Sequence, residues 1–181
     1  MKLGELVADA VRRLDQSRVP YMVTGSVVSS YYGEPRATLD LDIVIDPAPD
    51  ALESLVAGYL ADRWYVDRMT AFDALRSRTQ FNAVGPGAAK VDFILRRDRP
   101  FSREEFDRRR QADLLGTTAW IATVEDMIVA KLEWSVPIRS ERQVRDVAAM
   151  LEVGGETVDR AYIERWVADL GLEAAWERAT T

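Results

Sequence analysis
Residues 21–46 read YMVTGSVVSSYYGEPRATLDLDIVID, and the rest of the chain is organised around them. A short apolar strand, Tyr21 to Thr24, runs into Gly25-Ser26, and a short helix is expected from Ser26. Gly33-Glu34-Pro35 is a turn. A second strand covers residues 38–46, where apolar and polar side chains alternate. Strand side chains point to opposite faces in turn. Leu39, Leu41, Ile43 and Ile45 therefore share one face, and Asp40 and Asp42 share the other. Two carboxylates side by side repel, so such a pair implies a cation between them or full exposure to water.

Composition narrows the chemistry. The 181 residues suffice for one domain or a core with a small appendage, and 48% apolar residues support a buried core. No apolar run reaches the ~18–20 residues of a membrane helix, and the N-terminus lacks a signal-peptide core, so a cytoplasmic protein without a membrane partner is expected. With no Cys, disulfides, thiolate nucleophiles and Cys-bound zinc are excluded. With no His, so are His bases, His metal sites and Ser-His-Asp triads. Any metal would be a hard, oxygen-liking ion such as Mg²⁺. A net charge of −6 argues against a generalist nucleic-acid binder. Lysines are rare: Lys2, Lys90 and Lys131 stand against 21 arginines.

The pattern predicts an amphipathic helix over 2–18, ended by Val19-Pro20, and a helix from an Asp50 N-cap to about Ala61. A short strand at 64–66 and helical turns at 70–76 follow. Thr79 to Val84, a Gly85-Pro86-Gly87 turn and Ala89 to Leu95 make a β-hairpin whose second strand holds Asp92 among apolar residues. A helix is expected over 102–110, then a small edge hairpin around 114–122. Helices over about 123–135, 140–153, 159–169 and 172–179 complete the chain. The expected fold class is α/β (α+β): a mixed α/β core over 1–97 and a mostly helical part over 98–181 packed on it.

Asp40, Asp42 and Asp92 on strands match a two-metal phosphoryl-transfer site, in which paired Mg²⁺ ions ~3.5–4 Å apart need bridging carboxylates. Gly25-Ser26, between a strand and a helix, is where phosphate would sit: glycine permits close approach and the helix N-terminus offers free N–H groups.

Gly25-Ser26, thirteen residues, Asp40-Leu41-Asp42-Ile43 and then Val91-Asp92-Phe93 together resemble the nucleotidyltransferases of the DNA polymerase β superfamily. The longer context, GEPRATLDLDIVID, VEDMIVAKLEW, SERQVRD and YIERWVADLGL, is similar to a bacterial branch that includes the AbiEii-type abortive-infection toxins. The resemblance implies a nucleotidyltransferase-like mixed sheet flanked by helices. It implies an enzyme that binds NTP with two Mg²⁺ ions and transfers NMP to a hydroxyl. Asp40, Asp42 and Asp92 would be the metal ligands, and Asp92 also the base. Gly25 and Ser26 would hold the triphosphate, Arg36 and Lys131 would contact phosphate, and Arg145-Asp146 would support that pocket. Related toxins often carry a further acid one helical turn later, where this chain has Ala149. Implied acceptors are RNA (tRNA among them) or a protein side chain, in a toxin paired with an antitoxin protein. The alternatives are a small-molecule, aminoglycoside-type enzyme and a non-catalytic nucleotide-binding protein.

Simpler explanations stand beside these. Asp40 and Asp42 can be a solvated edge, and Gly25-Ser26 a turn and an N-cap. Lys131 can lie on either face of its helix, and Arg142 and Asp146 form an i, i+4 pair. Arg36 can pair with Glu34. The run RRDRPFSREEFDRRR at 96–110 reads as a solvated helix with i, i+4 pairs, or as an RNA-facing surface. The tryptophans Trp120, Trp134, Trp166 and Trp176 read as packing residues rather than stacking platforms.

Overall fold
A computed structural model describes every residue except Arg36, Leu39, Ile138 and Arg139. Arg36 and Leu39, both singled out above, thus lie outside the described residues. The chain folds as α1 (Leu3–Gln16), β1 (Tyr21–Thr24), α2 (Gly25–Tyr32), β2 (Asp40–Ile45), α3 (Pro49–Ala61), β3 (Tyr65–Val66), α4 (Arg68–Ser77), β4 (Gln80–Val84) and β5 (Lys90–Leu95). It continues as α5 (Pro100–Asp107), β6 (Arg110–Leu114), β7 (Thr117–Ile121), α6 (Val124–Ser135), α7 (Glu141–Gly154), α8 (Arg160–Leu170) and α9 (Glu173–Thr180).

The strands form one mixed sheet in the order β3-β4-β5-β2-β1-β7-β6. β1 and β2 run antiparallel, and β2 and β5 run parallel with Asp42 opposite Asp92. β7 pairs parallel with β1, so the segment beyond residue 97 contributes two strands to the sheet that carries the aspartates. Alternation sorts the strands as expected. Leu41, Ile43 and Ile45 on β2, and Val91, Phe93 and Leu95 on β5, are all fully buried. On this face Phe93 meets Tyr59 of α3, with ring centroids 5.8 Å apart. The other face carries Asp42, Val44, Lys90, Asp92 and Ile94, and α2 and α6 lie over part of it. No helix among the described residues is long and apolar enough to cross a membrane.

Two local expectations need correction. Ala48, not Asp50, is the N-cap of α3. Pro49 takes the first helical position, where its fixed φ and missing N–H cost nothing. The helix expected over 102–110 starts at Pro100 and ends at Asp107, and Arg110 opens a strand. Arg103 pairs locally with Asp98, but Arg99, Arg108 and Arg110 around the helix make tertiary contacts. The Arg99 guanidinium donates two bonds to Glu133, at 2.5 and 2.6 Å. Arg108 Nε donates to the fully buried Asp126 at 3.2 Å while its guanidinium lies 4.0 Å from the Tyr162 ring centroid. Arg110 Nε donates to the Tyr32 hydroxyl at 3.0 Å. These bonds pull the chain away from a continuing helix and lock α5 against α6 and α8.

Glu105 of α5 sits half-buried in this network, beside Ser102, Asp126 and Glu133. Burial first, and then the Asp126 charge, push its carboxyl from 4.5 up to about 8. A group raised on folding contributes fully below its unfolded value and loses that contribution as pH rises through its folded value. Glu105→Gln is therefore expected to match the wild type near pH 5 and to exceed it by on the order of 2–4 kcal/mol above pH 8. Urea denaturation at the two pH values measures the difference.

Candidate active site
β1 ends at Thr24, whose backbone pairs with Asp42. The chain then turns sharply at Gly25, with φ of +68°, to begin α2. Positive φ is cheap only for glycine, and there is a second constraint. A Cβ on Gly25 would overlap the Asp42 carboxylate, so the backbone approach to that side chain requires glycine. The α2 N-terminus is thereby held against β2, and the Ser26 N–H donates to Asp42. First-turn N–H groups have no partner within the helix and remain suited to an anion.

Asp42 and Asp92 face each other across the parallel β2–β5 register. Burial, and next the charge of Asp92, raise the Asp42 carboxyl above the ordinary carboxylate range; the Ser26 N–H pulls the other way. Lys90 Nζ donates to Asp92 Oδ2 at 2.7 Å. Asp40 lies exposed at the start of β2, opposite Lys90. Among the described residues, no three acidic side chains are gathered closely enough to hold an ion as they stand.

These groups line a cleft of about 300 Å³ between the sheet and α6–α7. Thr24, Gly25, Ser26, Asp42, Lys90 and Asp92 form one wall, and Met127, Lys131, Trp134 and Gln143 form the other. Lys131 is buried yet reaches this cleft. Its amine donates to Asp146 Oδ2 at 2.7 Å and to Gln143 Oε1 at 2.9 Å. Asp146 is thus tied to Lys131 rather than to Arg142, whose guanidinium lies 3.4 Å from Ser26 Oγ. Arg145 is exposed and lines a separate depression with Glu34, Arg142, Asp146 and Ala149. The structure therefore brings Gly25, Ser26, Asp42, Asp92 and Lys131 to one cleft, places Asp146 behind Lys131, and leaves Arg145 outside it.

Sequence reasoning missed Lys90, Gln143 and Trp134. Lys90 was legible, because a residue two before Asp92 on a strand shares its face. Gln143 and Asp146, at i, i+3, share a helix face in the same way. Trp134 is 50% exposed at the cleft mouth, and no local signal distinguishes it from a packing tryptophan such as the buried Trp166. Beyond Trp134 the cleft adjoins a wider depression of about 610 Å³ lined by Ser77, Arg78, Thr79 and Arg97.

No family model matches the chain, and no curated protein matches it. Solved structures do. The antibiotic-resistance factor ANT(2'')-Ia superimposes with a TM-score of 0.62 at 14% identity, over 96% of this chain and 94% of its own. An antigenic nucleotidyltransferase-like protein from Paracoccidioides brasiliensis gives 0.58 at 15% identity, over 97% and 92%. The lincosamide antibiotic adenylyltransferase LnuA gives 0.56 at 10% identity, over 82% and 96%. At these identities the likeness is one of fold, and the chain has the nucleotidyltransferase-like fold expected for it.

The close approach at Gly25 can be tested against a neutral case. Gly25→Ala is expected to cost on the order of 2–4 kcal/mol, from strain and from the collision with Asp42. Gly116→Ala, also at positive φ but facing open space, is expected to cost about 1 kcal/mol. Chemical denaturation of the two variants measures the gap.

Proposed function
We propose that the protein is a Mg²⁺-dependent nucleotidyltransferase that moves NMP from an NTP to an acceptor hydroxyl. The observation that carries this reading is the pairing of Asp42 with Asp92 in one cleft, beside the N-terminus of α2. The donor set suits a divalent cation. It is all oxygen, burial and then the Asp92 charge raise the Asp42 carboxyl, and the Lys90 ammonium already bonds to Asp92. Asp42 and Asp92, with Asp40 at the rim, would hold two Mg²⁺ ions, which neutralise triphosphate charge when bound.

The chain's own groups then divide the work. Gly25 and the first turn of α2 seat the triphosphate, and Lys131, fixed by Asp146 and Gln143, adds positive charge beside it. Trp134 offers an exposed face on which a base can stack. Asp92 accepts the proton of the acceptor hydroxyl. The acceptor oxygen bonds to the α-phosphorus as its bond to the bridging oxygen breaks, and pyrophosphate leaves.

For the acceptor we favour RNA. The depression next to Trp134 has Arg78 and Arg97 on its wall, with Arg96 and Arg99 close by; Asp46 and Glu133 are the acids these four pair with. Asp98 and Glu105 also lie beside these arginines, and the two guanidinium groups on the depression wall itself, Arg78 and Arg97, suit a phosphate backbone. A toxin role with an antitoxin partner rests on the family resemblance alone.

Incubation with Mg²⁺ and each α-labelled NTP, in the presence of total RNA or an aminoglycoside, tests this. Label is expected in RNA, with at least about a 10³-fold loss in Asp42→Asn and Asp92→Asn. Arg97→Glu is expected to weaken transfer to RNA while leaving the Mg²⁺–NTP thermal shift intact. Label in the aminoglycoside would favour the small-molecule reading. Absence of both label and thermal shift would overturn nucleotidyl transfer.

A further inference from the structure
Lys90 opens β5, and three placements converge on it. Strand alternation puts it on the same face as Asp92, the parallel register sets it opposite Asp40, and Asp42 is opposite Asp92. Its ammonium is 2.7 Å from Asp92 Oδ2. The Lys90 side chain is 35% exposed and that of Asp92 16%, so the flexible partner of the pair is the lysine. An ammonium and a divalent ion on one carboxylate compete, because their charges repel across the few ångströms between them. A lysine holds its charge on four rotatable carbons and can withdraw without moving the strand.

We propose that Lys90 is a built-in counter-ion of the aspartate site: it neutralises Asp92 while no divalent ion is bound and yields that oxygen when one arrives, which sets the affinity for the metal. The inference rests on the metal-dependent reading above and adds a positioning residue to it. It predicts two effects of opposite sign. Without Lys90, Asp92 loses its bonded ammonium while still facing Asp42, and the metal-free protein weakens. The same loss removes the competitor, and the metal binds more tightly.

The full chain, as wild type, Lys90→Met and Lys90→Arg, is titrated with Mn²⁺ alone in a calorimeter and melted with and without Mn²⁺. In the absence of metal, Lys90→Met is expected to melt about 2–4 °C below wild type. It is also expected to bind Mn²⁺ about tenfold more tightly, as a charge-assisted bond no longer has to be broken. Lys90→Arg keeps the charge and is expected to restore the metal-free melting point. Equal Mn²⁺ affinity in wild type and Lys90→Met overturns the proposal and leaves nucleotidyl transfer standing. So does a change confined to nucleotide affinity, which would make Lys90 a phosphate contact. If neither protein binds Mn²⁺, with or without NTP, the metal-dependent reading falls and this inference falls with it.

Discussion
Two carboxylates facing each other on adjacent parallel strands are the constraint on which the rest of this molecule depends. Asp42 and Asp92 are held opposite by backbone hydrogen bonding, which leaves them no freedom to separate along the strands. Burial adds to their repulsion and pushes the Asp42 carboxyl up. Such a pair persists only if surrounding groups compensate. Here the Ser26 N–H donates to one carboxylate and the Lys90 ammonium to the other.

Those compensations in turn shape the surrounding fold. The Ser26 N–H reaches Asp42 because Gly25 turns without a Cβ, bringing the start of α2 against β2. α6 and α7 close the opposite side, and the buried Lys131 between them is satisfied by Asp146 and Gln143. The helices of the C-terminal part therefore complete the cleft rather than decorate the sheet. They are anchored from below by a second charged network, in which Asp126 accepts from Thr123, Tyr162 and Arg108. Buried polar groups of this kind are tolerated when each finds partners, and they fix a single arrangement of the helices.

Charge on the molecular surface is equally local. The chain is acidic in sum, yet Arg78 and Arg97 line the depression where the cleft opens past Trp134. Net charge argues against binding nucleic acid indiscriminately, but it does not govern one depression whose wall carries two guanidinium groups. Screening confines each surface charge to about 10 Å at moderate salt. An anionic acceptor near Trp134 would thus feel its neighbours rather than the whole protein.

The strands β2 and β5, the two faces of each, and the Gly25-Ser26 turn were legible in the sequence because they depend on neighbours one to four residues apart. Alternation alone placed Asp40 and Asp42 on one face and Leu41, Ile43 and Ile45 on the other. The absence of His and Cys restricted the chemistry to oxygen and nitrogen groups before any fold was known. Spacing alone reads the arginine-rich run at 96–110 as i, i+4 pairs, because the partners Glu133, Asp126 and Tyr32 are distant in sequence. Periodicity reports which side of an element is apolar and is silent about what lies across from it. The face on which Lys131 lies, the pairing of Lys90 with Asp92, the exposure of Trp134 and the exclusion of Arg145 from the cleft were therefore decided by tertiary structure. Each depends on the packing of elements distant along the chain or on side-chain rotamers, which local sequence spacing does not encode.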